Sequence, residues 1–291
     1  MSDLNILLIA GHPADMFDHC GGTLCHHVRR GDNVTCVTLT HGLRVHDVVI
    51  AEELRRQEKT PDPARLERLM QERSKVKHGE AVEALGILGI TDVRFLNYDD
   101  KFITISPELI EALARVIREV RPNIVIAHHP LENAGVQNHH GITGQLTLHA
   151  IGFAGSVDPD DENTGWSVAQ VFFMAPNMLS FVDTSLASQP SVFCDMYVDI
   201  TDVIELKVRA WDTMRSQQYQ GNYARKSAET WNGKDGSYMG VPYAEGFVRY
   251  YPEIGDHLFV SQERLERANE PEAATRARTD QLIAPFVKLP E

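Results

Sequence analysis

The sequence predicts an α/β protein: a Rossmann-like, mostly parallel sheet with helices on both faces, followed by a smaller C-terminal α+β part. Three observations carry that expectation. Short continuous apolar runs occur at NILLIA (residues 5–10), VTCVTL (34–39) and NIVIA (123–127), as in strands buried on both faces. Stretches with apolar residues at helical spacing lie between them, clearest in ELIEALARVIREV. The first strand, helix and strand fit between residues 4 and 39, the length of a right-handed βαβ unit.

The elements follow in order. Gly21-Gly22 leads into a helix over TLCHHVRR, and Gly31-Asp32 turns the chain into the second strand. Residues 48–89 read as helical, broken at Pro61 and Pro63. Val93 to Leu96 forms a third strand, and Ser106-Pro107-Glu108 starts the helix before the fourth. Beyond residue 165, VAQVFFMA and SVFCDMYVDI read as strands, and residues 201–218 as a helix with Thr201 as N-cap. Residues 219–242, rich in Gly, Asn, Ser and Tyr, read as a long loop. The expected organisation is one domain over residues 1–260, with a Rossmann-like core over 1–155 and a C-terminal part over 165–260. A charged arm, helical or extended, covers 261–291.

The chain has 291 residues, 43% hydrophobic and 24% charged, enough for one large domain or two small ones. That excludes a peptide hormone, a disulfide mini-protein and a wholly disordered chain. Against 41 Asp and Glu stand 28 Lys and Arg, a formal charge of −13, which disfavours nucleic acid and anionic membranes as partners. The four cysteines, Cys20, Cys25, Cys36 and Cys194, form no C-x-x-C pair and suit reduced thiols in a cytoplasmic protein. No apolar run reaches membrane-spanning length, and the first residues lack the basic start of a signal peptide.

In an open α/β sheet the ligand sits beyond the carboxyl ends of the strands. That rule nominates residues 11–15, 40–47 and 128–140. His12, His19, His41, His46, His128, His129, His139 and His140, out of 13 histidines, lie in or beside these loops. Imidazole and carboxylate groups converging from separate strand ends suit zinc and related divalent ions. Inert surface histidines, and Asp15 capping a turn, are the plainer alternative. No Walker or G-x-G-x-x-G pattern is present to hold a nucleotide.

LLIAGHPADMFDHCGGTLCHHVRRGDNVTCVTLTHG closely resembles the start of the PIG-L (LmbE-like) family, whose first motif is A-H-P-D-D-E followed by G-G-T-L. The family's second motif, H-P-D-H, falls in degraded form on Gln137-Asn138-His139-His140. The resemblance covers about residues 4–255. It implies the fold above and a zinc ion on His12, Asp15 and His140, with His139 as the neighbouring alternative. Most such proteins deacetylate N-acetylglucosaminyl compounds. Here Ala14 replaces the Asp that serves them as general base, and Met16 replaces the usual Glu.

The 4-oxalomesaconate (4-carboxy-2-hydroxymuconate) hydratase branch shares the alanine, in an A-H-S-A-D motif, and adds water to a C=C bond. Leu131-Glu132-Asn133, Tyr243 to Arg249 and Tyr251-Pro252 also resemble that branch, whereas His46 stands where it carries Glu. The resemblance implies a metal-dependent hydratase of a small unsaturated polycarboxylate, acting as a homo-oligomer. His46 and His139 are then the acid and base, and Arg44 clamps a substrate carboxylate, helped by Arg225, Lys226 and Arg249. The alternative is an amide hydrolase with a displaced base.

Overall fold

The computed structural model describes residues 3–55, 62–132, 139–174 and 194–283. One seven-stranded sheet organises them. Its strands are β1 (Asn5–Ala10), β2 (Asn33–Thr40), β3 (Asp92–Tyr98), β4 (Ile124–His128), β5 (Gln170–Met174), β6 (Met196–Asp199) and β7 (Ala244–Arg249). Their spatial order is β3-β2-β1-β4-β5-β7-β6. The first five run parallel, and β7 pairs antiparallel with both β5 and β6. The strands of the C-terminal part thus extend the same sheet.

The order reverses at β1, which pairs with β2 on one side and β4 on the other. Such a switch point splays the connections at the carboxyl ends and opens a crevice there. The pleat of β1 divides its side chains between two cores. Ile6, Leu8 and Ala10 pack with Leu24, Leu85 and Val208, from α2 (Gly21–Arg30), α5 (Pro63–Ile87) and α8 (Ile204–Asp212). Leu7 and Ile9 pack with Leu113, Ile117 and Leu146, from α6 (Pro107–Val120) and α7 (His139–Ala154). These β1 side chains are completely buried, and each such Leu or Ile contributes about 1.5–3 kcal/mol.

Local signals explain the helix boundaries. Pro63 occupies the first turn of α5 behind Asp62, whose carboxylate accepts from Arg65 N. Ser106 caps α6 through Leu109 N. Between β2 and α5 lie two short helices, α3 (Leu43–His46) and α4 (Val48–Arg55).

Three expectations change. The helix expected over 201–218 runs only from Ile204 to Asp212, and Val203 sits at its N-cap position. Thr201 instead donates to Asp199 Oδ1 at 2.6 Å. The stretch expected as a loop over 219–242 folds into α9 (Asn222–Ala228), a π-helical turn (Glu229–Gly233) and α10 (Lys234–Met239). Ala224 and Ala228 bury a narrow helical stripe in the core, with Trp231 against Trp211, and the polar residues between them hide that stripe. The arm contains α11 (Gln262–Arg267) and α12 (Glu272–Thr279). All four cysteines are free thiols. Among the described residues no helix is long and apolar enough to cross a membrane.

A buried ion pair ties β7 to the α2 N-terminus. Lys207 Nζ lies 2.7 Å from Glu245 Oε1, and both side chains are fully buried. Glu245 also accepts from Gly22 N, Thr23 N and Thr23 Oγ1 at 2.9, 2.7 and 2.6 Å, which satisfies free N–H groups of the helix end. At Gly22 a Cβ would come within 2.6 Å of Ile200, so only glycine permits this approach. Removing one partner of a buried pair strands the other charge, at about 3–5 kcal/mol. Glu245→Ala is therefore expected to lose about that much in urea unfolding, whereas Lys207→Met combined with Glu245→Leu loses less. Equal losses in the single and double variants would contradict this account.

A histidine–carboxylate cluster at the sheet switch point

The site is built where β1 and β4 end. After Ala10 the chain turns through Gly11-His12-Pro13-Ala14 into α1 (Asp15–Asp18). Asp15 is 4% exposed, and four nitrogens address its Oδ2. His12 N and His12 Nδ1 lie at 2.8 and 3.0 Å. His128 Nε2, from the last residue of β4, and His140 Nε2, from the first turn of α7, each lie at 3.2 Å. Burial alone would raise the Asp15 carboxyl, but His140 and His12 outweigh it and hold it well below the usual range.

Further partners orient the rings. His140 Nδ1 sits 2.7 Å from Glu132 Oε1, so the carboxylate fixes that ring and aims Nε2 at Asp15. Burial would also raise the Glu132 carboxyl, yet His128 and His140 together depress it. Burial opposes a proton on His140, but Asp15 and Glu132 prevail and raise it well above the ordinary imidazole value. His12 Nε2 is 2.9 Å from His139 Nδ1, and the His46 ring meets the His12 ring edge-on at 4.8 Å. Burial pushes His46 down to about 3, and it lowers His139 as well. Both are therefore neutral imidazoles near neutral pH, with a lone pair able to take a proton.

Ala14 is 2% exposed and packs in the core, with no acidic group of its own to offer the crevice. His12, Asp15 and His140 present donor atoms within 4.8 Å of one another, as do Asp15, Asp18 and His19, and His19, His128 and His140. Three imidazoles converging on one buried carboxylate oxygen, with both His128 ring nitrogens lacking a well-directed hydrogen bond, are the donor set and crowding that a divalent cation relieves. The residues present thus fit a metal ion.

The expected substrate-binding cations do not join the cluster. Arg44 makes a bidentate pair with Asp99 at 2.6 and 2.8 Å, beside a groove of 710 Å³ between α5 and the turns after β2 and β3. Arg225 holds Asp212 at 3.0 and 3.1 Å. Lys226 is exposed on α9. Arg249 pairs with Asp195 at 3.0 Å, and its backbone register with Phe172 leads it back from the carboxyl end of β5. Each arginine already has an acidic partner, so the positive charge expected for a polycarboxylate does not come from these residues as placed.

Sequence reasoning also missed two groups. Glu132 was quoted only as part of a resemblance, and its role needs the fold to bring it to His140. Lys77 of α5 is fully buried and donates to Gly42 O, bracing the turn that carries His46. Burial lowers its ammonium to about 8 against the pull of Asp47 and Asp100. Its signal was present: Lys77 and Glu80 share the buried stripe of Ala81, Ala84 and Leu85. Gln137 and Asn138 of the second motif, and Asn133, lie outside the described residues.

Gly144 sets the seat of α7. A Cβ there would lie 2.4 Å from His128 O and 2.9 Å from Pro130 N, both backbone atoms that cannot swing aside. Gly144→Ala is expected to destabilise the protein by about 1–3 kcal/mol in thermal unfolding. Wild-type stability in that variant would show that α7 does not depend on this contact.

Comparison with known proteins agrees with this architecture. The family model described as PIG-L, GlcNAc-PI de-N-acetylase, matches residues 7–151. The diacetylchitobiose deacetylase of Thermococcus kodakarensis is 27% identical, over 87% of this chain and 85% of its own. The 4-oxalmesaconate hydratase of Pseudomonas putida is 23% identical, over 87% of this chain and 91% of its own. The crystal structure of a 4-carboxy-2-hydroxymuconate hydratase from Pseudomonas putida superposes with a TM-score of 0.67 at 23% identity, covering 89% of this chain and 100% of that one. The motif around His12, the parallel sheet and the matched region agree: over residues 7–151 the chain matches the PIG-L family.

Proposed function

We propose that the protein is a metal-dependent hydratase that adds water to the C=C bond of an unsaturated polycarboxylate of the 4-oxalomesaconate class. The observation that carries this reading is Ala14. The ligand-type residues His12, Asp15 and His140 stand together, while the neighbouring position, the base of amide hydrolysis in the family's deacetylases, holds a buried methyl group. General-base catalysis contributes about 10²- to 10⁴-fold, so its loss weighs heavily against hydrolysis and not against hydration by other groups.

His12, Asp15 and His140 hold the ion, most simply Zn²⁺, which when bound supplies Lewis acidity toward a substrate oxygen or water. His46 and His139 border His12 and carry the proton transfers. One neutral imidazole takes a proton from the water whose oxygen bonds to the β-carbon, and the α-carbon, which receives the electron pair of the C=C bond, takes up the proton that the imidazole has gained. Glu132 keeps His140 in the tautomer whose Nε2 faces Asp15.

The test is the ultraviolet absorbance of 4-carboxy-2-hydroxymuconate mixed with zinc-loaded protein and with chelator-treated protein. Decay of the conjugated band with the first sample alone supports the reading, and a flat trace in both counts against this substrate class. Deacetylation is the second reading, favoured by the 27% identity to a diacetylchitobiose deacetylase along most of both chains. It predicts acetate release from N-acetyl sugars, with His46 or His139 as the displaced base.

Glu132 offers a separate check. Glu132→Gln is expected to weaken zinc binding about 10- to 100-fold in competition with a chelating dye. Unchanged affinity would remove Glu132 from the metal site.

A further inference from the structure

Behind His12 and His140 lies a second group of ligand-type side chains that the proposed chemistry leaves unused. Asp18 is one turn beyond Asp15 in α1 and 8% exposed, and its Oδ1 has no hydrogen-bond partner among the described residues. His19 Nε2 lies 3.4 Å from that oxygen. His128 is completely buried; its Nε2 sits 3.2 Å from Asp15 Oδ2 and its Nδ1 3.5 Å from Glu132 Oε2, neither as a well-directed hydrogen bond. The His19 and His128 rings meet edge-on at 5.3 Å. A buried imidazole and a buried carboxylate oxygen that lack well-directed hydrogen bonds are both unfavourable to folding. His19 lies against both groups.

From this juxtaposition we propose a second divalent-cation site, formed by Asp18, His19 and His128, with Asp15 shared between it and the His12–His140 site. Asp15, Asp18 and His19 place one donor atom each within 4.8 Å of one another, and His19 and His128 do so together with His140. Two imidazoles and carboxylate oxygens suit an ion of the zinc class rather than magnesium or calcium, which take mainly oxygen. A carboxylate shared between two ions about 3.5–4 Å apart is the arrangement of two-metal enzymes. The second ion also answers a question of charge. Arg44, Arg225 and Arg249 are already paired with Asp99, Asp212 and Asp195. An anionic substrate would find its counter-charge in the pair of ions. The inference rests on the proposed metal reading of the first site through the shared Asp15.

Isothermal titration of metal-stripped full-length protein with zinc, checked by elemental analysis after gel filtration, tests it. The expected result is two ions per chain, falling to one in both Asp18→Asn and His128→Asn, each confirmed as folded by its unfolding transition. His12→Ala is expected to lose the other ion. Two ions in wild type and in both variants would overturn the assignment of ligands. A single wild-type ion, lost in His12→Ala and kept in His128→Asn, would overturn the second site and leave the first standing. A single ion lost in His128→Asn and kept in His12→Ala would overturn both assignments, as would no binding at all.

Discussion

One carboxylate oxygen, Asp15 Oδ2, is the constraint on which the site depends. Two nitrogens of His12, one of His128 and one of His140 approach this buried oxygen within 3.2 Å. An oxygen with two lone pairs cannot satisfy four nitrogens equally. Repulsion between imidazole lone pairs, together with the cost of leaving His128 undirected, makes the arrangement poor packing but good preorganisation for cations. The pKa directions express the same tension: Asp15 and Glu132 are held ionised, while burial disfavours charge on His46, His139 and His19.

The sheet makes that convergence possible. β1 and β4 are neighbours, so the residues after Ala10 and the last residue of β4 meet without a long excursion of chain. Glycine brings α7 close enough for His140 to reach back to Asp15, because only a hydrogen at Gly144 clears the His128 carbonyl. On the other face, Glu245 and Lys207 lock α2 and β7 behind the first loop. Thus the G-G-T-L and Tyr243-Ala244-Glu245-Gly246 segments, far apart in sequence, are two halves of one helix-capping contact behind the turn that carries His12 and Asp15. One fold can host different chemistries through the few residues that line its crevice.

Much of this was legible in the chain, and the exceptions have physical causes. The apolar runs of β1, β2 and β4 are unambiguous because strands buried on both faces need no alternation. The loops of the site followed from the rule of strand carboxyl ends. The helices over 222–239 escaped because their apolar stripe is short, Ala224 and Ala228 with the half-buried Trp231, set among glycine, asparagine and serine. Arg44, Arg225 and Arg249 were assigned to substrate by charge alone. Sequence does not say which acid lies nearest, and each found one in the fold. Glu132 and Lys77 act through partners 8 and 35 residues away, a relation that only tertiary structure reveals.

The central claim is that Asp15 is the hub of a cation centre. Crystals of zinc-loaded protein, with anomalous diffraction recorded on either side of the zinc absorption edge, address it most directly. The account predicts anomalous density in contact with Asp15, one peak bounded by His12 and His140 and another by Asp18, His19 and His128. Anomalous peaks only at surface sites, with the cluster around Asp15 unchanged and empty, would contradict it.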